Sequence, residues 1–125
     1  MVRHTFPKKE HLYSKKLIGQ LVEKGNFFNL YPLHVKWMKA ALKEKVNVQI
    51  AFTVPKRSFK RAVDRNKLKR RMREAYRLNK ELLQVTNTAI LVVYTGKKQE
   101  LYPAIEKSLK NSMLKITKSV PAADE

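Results

Sequence analysis

The sequence predicts an α/β fold in which a buried strand is flanked by helices, and three observations carry that prediction. From Val46 to Val54, apolar Val46, Val48, Ile50, Phe52 and Val54 alternate with Asn47, Gln49, Ala51 and Thr53, the period of a strand with one buried face. Thr88 to Tyr94 is almost wholly apolar, the kind of strand that is covered on both faces and often follows a helix in a parallel arrangement, so it is expected to be central. Two further stretches repeat at helical spacing. Leu68, Met72, Ala75, Asn79 and Leu82 share one side of a helix, and Leu101, Ile105, Leu109, Met113 and Ile116 share a side of another.

The remaining elements follow in chain order. Ser14 is expected to cap a helix whose apolar face is Leu17, Ile18, Leu21 and Val22 and whose end is marked by Gly25. Phe27 to Met38 predicts strand, since Leu33, Val35 and Trp37 alternate with His34, Lys36 and Met38; Pro32 interrupts it or confines part of it to an edge. Lys39 to Lys45 is expected to be a connecting turn or hairpin loop. Pro55 stops the next strand, Lys56 to Val63 leads into the middle helix, and Asp64 is expected as its cap. Pro103 is acceptable in the first turn of the last helix, and the tail from Ser119 onward is expected to fray. With 125 residues the chain reads as one domain spanning 1–125.

Composition narrows the function. There are 28 Lys and Arg against 10 Asp and Glu, a formal charge of +18, on a chain that is 43% apolar and therefore folded rather than a disordered basic tail. Such a charge is expected to be neutralised by nucleic acid. A membrane partner is not expected, because the apolar side of the basic helix is sized for a protein core. With no cysteine there is no disulfide, cysteine-ligated zinc or thiol nucleophile, and the chain suits a reducing cytosol. Met1 to Pro7 holds no apolar core of signal-peptide length, and the run Ala89 to Tyr94 is too short to span a bilayer; a cytoplasmic protein is expected.

The charge is concentrated. Eleven of the twenty-two residues from Lys56 to Arg77 are Lys or Arg, against Asp64 and Glu74, so this stretch alone carries +9. At the helical period Asn66, Lys69, Arg70, Arg73, Arg77 and Lys80 fall on a stripe with Asp64, opposite the apolar side, so one helix holds a core face and a cationic face. Like charges at three- and four-residue spacing destabilise a free helix, and bound phosphate would compensate them. Lys67 and Arg71 point to the margin of the apolar face, where packing of their stems and RNA contact are both open. Tyr76 reads as a core-edge ring, and Phe27, Phe28, Tyr31 and Trp37 as core. Catalytic groups are not expected. The acids are scattered, Glu74 reads as a partner of Arg70, Arg71 or Arg77, and His4, His11 and His34 lack metal-ligand spacing. No Gly-rich phosphate loop is present either.

Ala62-Val63-Asp64-Arg65-Asn66-Lys67-Leu68-Lys69-Arg70-Arg71-Met72-Arg73-Glu74 resembles the signature of the protein subunit of bacterial ribonuclease P, supported by Phe6-Pro7-Lys8, by Glu23-Lys24-Gly25 at the end of the first helix, and by Lys56-Arg57 after a strand. The resemblance implies an αβββαβα sandwich, similar to a domain of a small-subunit ribosomal protein, with a left-handed crossover through the basic helix. It implies binding of a catalytic RNA that removes the 5′ leader of precursor tRNA, with Mg2+ held chiefly by that RNA. Arg65, Asn66, Lys67, Lys69, Arg70, Arg73 and Arg77 are then expected to dock RNA, together with Lys56, Arg57, Lys60 and Arg61 before the helix. The leader is expected in a cleft between the first helix and the sheet, near Ile18, Val22, Lys36 and Thr53. Lys67 departs from the family's usual Arg, which reduces a bidentate contact to a point charge. Ile18 and Val22 stand near positions often aromatic in relatives, which reduces base stacking.

The rival readings are a ribosomal or general RNA-chaperone protein of the same fold, a self-sufficient nuclease, and a major-groove DNA-binding helix. The last lacks a helix-turn-helix partner around Asp64, and DNA is not the expected ligand.

Overall fold

The computed structural model describes residues 6–42 and 46–119. Its elements run α1 (Lys15–Lys24), β1 (Asn26–Leu30), β2 (Leu33–Lys39), β3 (Val48–Thr53), α2 (Ala62–Asn79), β4 (Thr88–Tyr94) and α3 (Tyr102–Ser119), the αβββαβα order. His4 and Lys43 to Lys45, and the tail beyond Ser119, lie outside the described residues.

The four strands form one sheet in the order β1-β2-β4-β3. β4 is central, as its apolar run demands, antiparallel to β2 and parallel to β3, so α2 is the crossover between parallel neighbours. The Phe27 to Met38 stretch is two strands, because Tyr31-Pro32, a cis peptide, turns the chain into a hairpin that pairs Leu30 with Leu33. Of the turn or hairpin loop expected after Lys39, the hairpin is not found: β4 inserts between β2 and β3, so these two antiparallel strands are not paired with each other. A stretch after Lys39 has no local signal that distinguishes these outcomes, since β4, the strand that separates β2 from β3, begins only at Thr88.

Each face of the sheet has its own apolar cluster. Val35, Ile50, Ile90 and Val92 pack against Leu68, Met72, Ala75 and Tyr76 of α2 and Ile105, Leu109, Met113 and Ile116 of α3. On the other face Ala89 and Leu91 pack under Leu21, with Leu17, Ile18 and Met38 beside them. Each fully buried Leu or Ile contributes about 1.5–3 kcal/mol of transfer free energy, so α1, with Leu21 alone fully buried, is held far more lightly than α3. Ser14 caps α1 as expected, its Oγ accepting from the Leu17 amide at 3.2 Å. Gly25 ends α1 at φ −71°, so glycine is needed there for space: a Cβ would lie 2.7 Å from the Leu21 carbonyl oxygen.

The segment before α1 also has a place. His11 bridges Ile50 in parallel, and the Leu12 amide donates to the Ile50 carbonyl at 3.1 Å, which covers the outer edge of β3. Glu10 is held by Lys80 at 2.7 Å and by the Tyr76 hydroxyl at 3.3 Å, tying this segment to the far end of α2.

Candidate nucleic-acid interface

α2 presents the two faces that its sequence period predicts, but Lys80 and Leu82, expected on them, lie beyond its end at Asn79, and Lys80 is paired with Glu10. Leu68, Met72, Ala75 and Tyr76 are buried, while Asn66, Lys67, Arg70 and Arg73 are exposed and Lys69 is half-buried. Among the described residues no acid lies within ion-pair distance of Lys67, Lys69, Arg70 or Arg73. Among the described residues their charge is uncompensated.

Other cations of the stretch are structurally engaged. Arg65 Nη1 donates to the carbonyls of Phe59 and Lys60, both at 2.8 Å, and so braces the loop that precedes α2. Arg71 Nη1 donates to the Glu100 carbonyl at 2.7 Å, which settles that side chain on the loop before α3. Arg77 holds Glu74 through two contacts, at 3.0 and 2.6 Å; this hydrogen-bonded pair lowers the Glu74 pKa and raises that of Arg77. Asp64 is a correction. The residue at the cap position is Arg61, α2 begins at Ala62, and Asp64 sits in the first turn, 3.8 Å from Arg61 Nε. A carboxylate there still meets the positive end of the helix dipole.

The loop from Pro55 to Arg61 is folded around one anchor. Phe59 is buried edge-on against Tyr94, their centroids 5.8 Å apart, and the Ser58 and Phe59 amides donate to the Pro55 carbonyl. Lys56, Arg57, Lys60 and Arg61 are therefore turned outward, and Arg65 joins this cationic loop to the exposed stripe of α2.

The predicted cleft residues lie on the opposite face of the sheet, with α1. Strand register places Thr53, Val93, His34 and Asn29 in one row across this face, and Ala51, Leu91, Lys36 and Phe27 in the next. α1 covers Leu91 and Ala89; Lys36 Nζ donates to the Val22 carbonyl at 3.1 Å and ties the end of the helix to β2. Ile18 is half-buried in that contact, whereas Val22 is 54% exposed. Lys36 and Thr53 are in neighbouring rows with β4 between them, so the four residues border one surface.

Two residues of this surface were not anticipated. Phe27 is 64% exposed rather than core, and its ring lies 5.6 Å from that of His34. His34 Nδ1 meets Asn29 Oδ1 at 2.6 Å, and its pKa is lowered, first by burial and then by the Lys36 charge. The signal was present in principle: once Pro32 is read as a two-residue hairpin turn, Phe27 falls opposite Lys36 and shares its polar face, while Phe28 falls opposite Val35. Tyr31, also expected in the core, is exposed and donates to Glu100 at 3.0 Å. Trp37 and Tyr76 are buried; burial, followed by the charge and hydrogen bond of Glu10, raises the Tyr76 pKa. Among the described residues no three His, Asp or Glu side chains are grouped to hold a metal ion, and no helix is long and apolar enough to cross a membrane.

The family model for ribonuclease P matches residues 6–117. This chain belongs to the ribonuclease P protein family. The ribonuclease P protein component of Porphyromonas gingivalis strain ATCC 33277 is 32% identical over 123 residues, covering 93% of this chain and 89% of that protein. The ribonuclease P protein component of Chlorobium phaeobacteroides is 35% identical over 81 residues, covering 65% and 54%. Among solved structures, the RNase P protein of Thermotoga maritima in complex with 1-(4-fluorophenyl)-2-thiourea superposes with a TM-score of 0.73 at 22% identity, covering 85% of this chain and 99% of that one. The Staphylococcus aureus RNase P protein gives 0.70 at 24% identity, covering 87% and 95%. These two likenesses establish the fold. Family membership makes this an RNA-binding accessory subunit of the ribonuclease P endoribonuclease, acting in tRNA processing.

Proposed function

We propose that the exposed stripe of α2, with the loop before it, seats the catalytic RNA of ribonuclease P, and that the sheet face beside α1 receives the 5′ leader of precursor tRNA. The observation that carries this reading is the division of the basic stretch into cations that brace the fold and cations turned outward. Arg65, Arg71 and Arg77 hold the scaffold, while Asn66, Lys67, Lys69, Arg70 and Arg73 are presented outward with Lys56, Arg57, Lys60 and Arg61. Such a surface neutralises phosphates and fixes register without reading sequence, as docking to folded RNA requires.

The leader surface has different chemistry. Phe27 offers a ring for an unpaired base, Lys36 a cation, and Thr53, His34 and Asn29 short polar groups in one row, bordered by Ile18 and Val22 of α1. A strand laid there is extended and single, since a sheet face with one exposed ring stacks bases and does not hold a duplex. Phe27 compensates for the aliphatic residues at Ile18 and Val22.

The chain brings affinity and geometry, and the RNA brings the reaction. Mg2+ held by the RNA supplies the Lewis acid and activated water for phosphodiester hydrolysis. The dispersed acids of this chain give it no grouping to hold such an ion among the described residues. Residues 1–125 act as one unit in the cytoplasm, where precursor tRNA and a reducing environment coincide. The test compares precursor tRNA with mature tRNA for binding to the protein–RNA complex: a leader preference that Phe27→Ala reduces roughly tenfold supports the cleft, and no preference favours a general RNA chaperone.

A further inference from the structure

A run of four rings leads from the core to the surface on the flank of α1 away from Val22. Tyr76, 2% exposed, meets Phe6 edge-on at 5.2 Å; Phe6 stacks on His11 at 3.9 Å and 21°; His11 stacks on Tyr13 at 5.6 Å and 27°. Tyr13 ends the run and is 63% exposed. The stack is fixed by polar contacts as well: His11 Nε2 faces the Phe6 carbonyl at 3.3 Å, and Tyr13 Oη faces His11 Nδ1 at 3.1 Å. In the neutral imidazole this requires Nε2–H to donate to the carbonyl and Nδ1 to accept from the tyrosine hydroxyl.

The last ring opens on a cavity of about 480 Å³ lined by Tyr13, Ser14, Lys16, Leu17, Gln20 and Gln49, among others. That volume lies within the range of small-molecule sites and admits one nucleotide. Its chemistry is specific. Gln49 spends its amide N–H on the Lys9 carbonyl at 3.1 Å and keeps its oxygen as an acceptor. Gln20 offers a donor and an acceptor, as the edge of a base requires. Lys16 is exposed without an acid within ion-pair distance among the described residues, and Glu10 is engaged with Lys80 and Tyr76 instead.

We infer that this cavity is a second RNA site, in which one unpaired base stacks on the outer face of Tyr13 and its phosphate meets Lys16. The inference deepens the proposed function, resting on its premise that this chain binds single-stranded RNA, but it concerns a flank of α1 distinct from the leader surface. Charge selects the occupant: a ring platform beside an unpaired cation favours a nucleotide over an apolar peptide.

The experiment measures binding of a short single-stranded oligoribonucleotide carrying photoreactive 4-thiouridine to the full chain, with the crosslinked residue found by mass spectrometry. A crosslink at Tyr13, a loss of affinity of roughly tenfold in Tyr13→Ala, and retention in Tyr13→Phe support the site, since Phe keeps the ring and loses only the hydroxyl contact to His11. Lys16→Glu, on the exposed helix surface, gives a second reading that does not disturb the stack. Affinity unchanged in both Tyr13→Ala and Lys16→Glu, or crosslinks confined to Phe27 and the α2 stripe, overturns it. That failure is separate from failure of the leader reading, which would appear as loss of the Phe27 effect while the Tyr13 effect persists.

Discussion

Arg65 and Arg70 belong to the same helix and the same charge run, yet their surroundings assign them different work. Arg65 spends its guanidinium on two carbonyls, and Arg70 faces outward without an acidic partner among the described residues. Arg65→Ala is expected to lower the unfolding free energy in urea by about 1–2 kcal/mol, because two charge-assisted hydrogen bonds at a half-exposed site disappear. Arg70→Ala is expected to leave stability within about 0.5 kcal/mol while reducing the log–log salt slope of RNA binding by about 0.7–0.9. Equal loss of stability in the two variants would contradict this division of roles. Sequence period could not make the distinction, since bracing depends on where the Phe59 and Lys60 carbonyls point.

His34 permits a test by titration. Its folded pKa lies below the ordinary 6.5, with burial the larger cause and Lys36 the smaller. The folded state therefore disfavours the imidazolium, and its stability falls as the pH drops from the unfolded pKa through the folded one, then levels. NMR of the His34 ring is expected to give a midpoint below 6.5, and Lys36→Met is expected to move it only part of the way back. A midpoint at or above 6.5 in the wild type would refute the arrangement drawn for this face.

Among the elements, α1 separates two glycines that look alike in sequence. At Gly19 an added Cβ meets nothing within 4 Å, whereas at Gly25 it meets the Leu21 carbonyl oxygen at 2.7 Å. Gly19→Ala is expected to stabilise the fold by about 0.5–1 kcal/mol through helix propensity. Gly25→Ala is expected to destabilise it by about 1–3 kcal/mol, because the obstacle is backbone and cannot rotate away. Urea unfolding of both variants checks the opposite signs. The elements themselves were largely legible. Ser14 announces α1, the run Thr88–Tyr94 coincides with β4, and the spacing from Ile105 to Ile116 lies within α3, although Leu101, expected on the same face, precedes that helix and is 71% exposed. What could not be read was pairing: nothing near Lys39 says that β4 enters between β2 and β3, and the exposure of Phe27 depends on the hairpin register set at Pro32.

At the scale of the molecule, a chain of +18 remains folded because its apolar residues form clusters on both faces of one sheet, while exposed cations are displayed along α2 and its leading loop. The family resemblance was legible from thirteen residues, Ala62 to Glu74, and the family match over residues 6–117 agrees with it. The surface proposed for the leader was only half legible. Ile18, Val22, Lys36 and Thr53 do border one face, but Phe27 and His34 entered it through tertiary register alone.

The most direct test of the account is single-turnover cleavage of precursor tRNA by a bacterial ribonuclease P RNA at low Mg2+, with and without this protein. The wild-type chain is expected to restore 5′ maturation, an Arg70→Ala/Arg73→Ala variant of unchanged stability to restore it only at concentrations roughly a hundredfold higher, and RNA-free protein to cleave nothing. Cleavage by the protein stripped of RNA, or full restoration by the double variant at wild-type concentration, would contradict the claim that this fold docks RNA through those cations and leaves the bond-breaking to it.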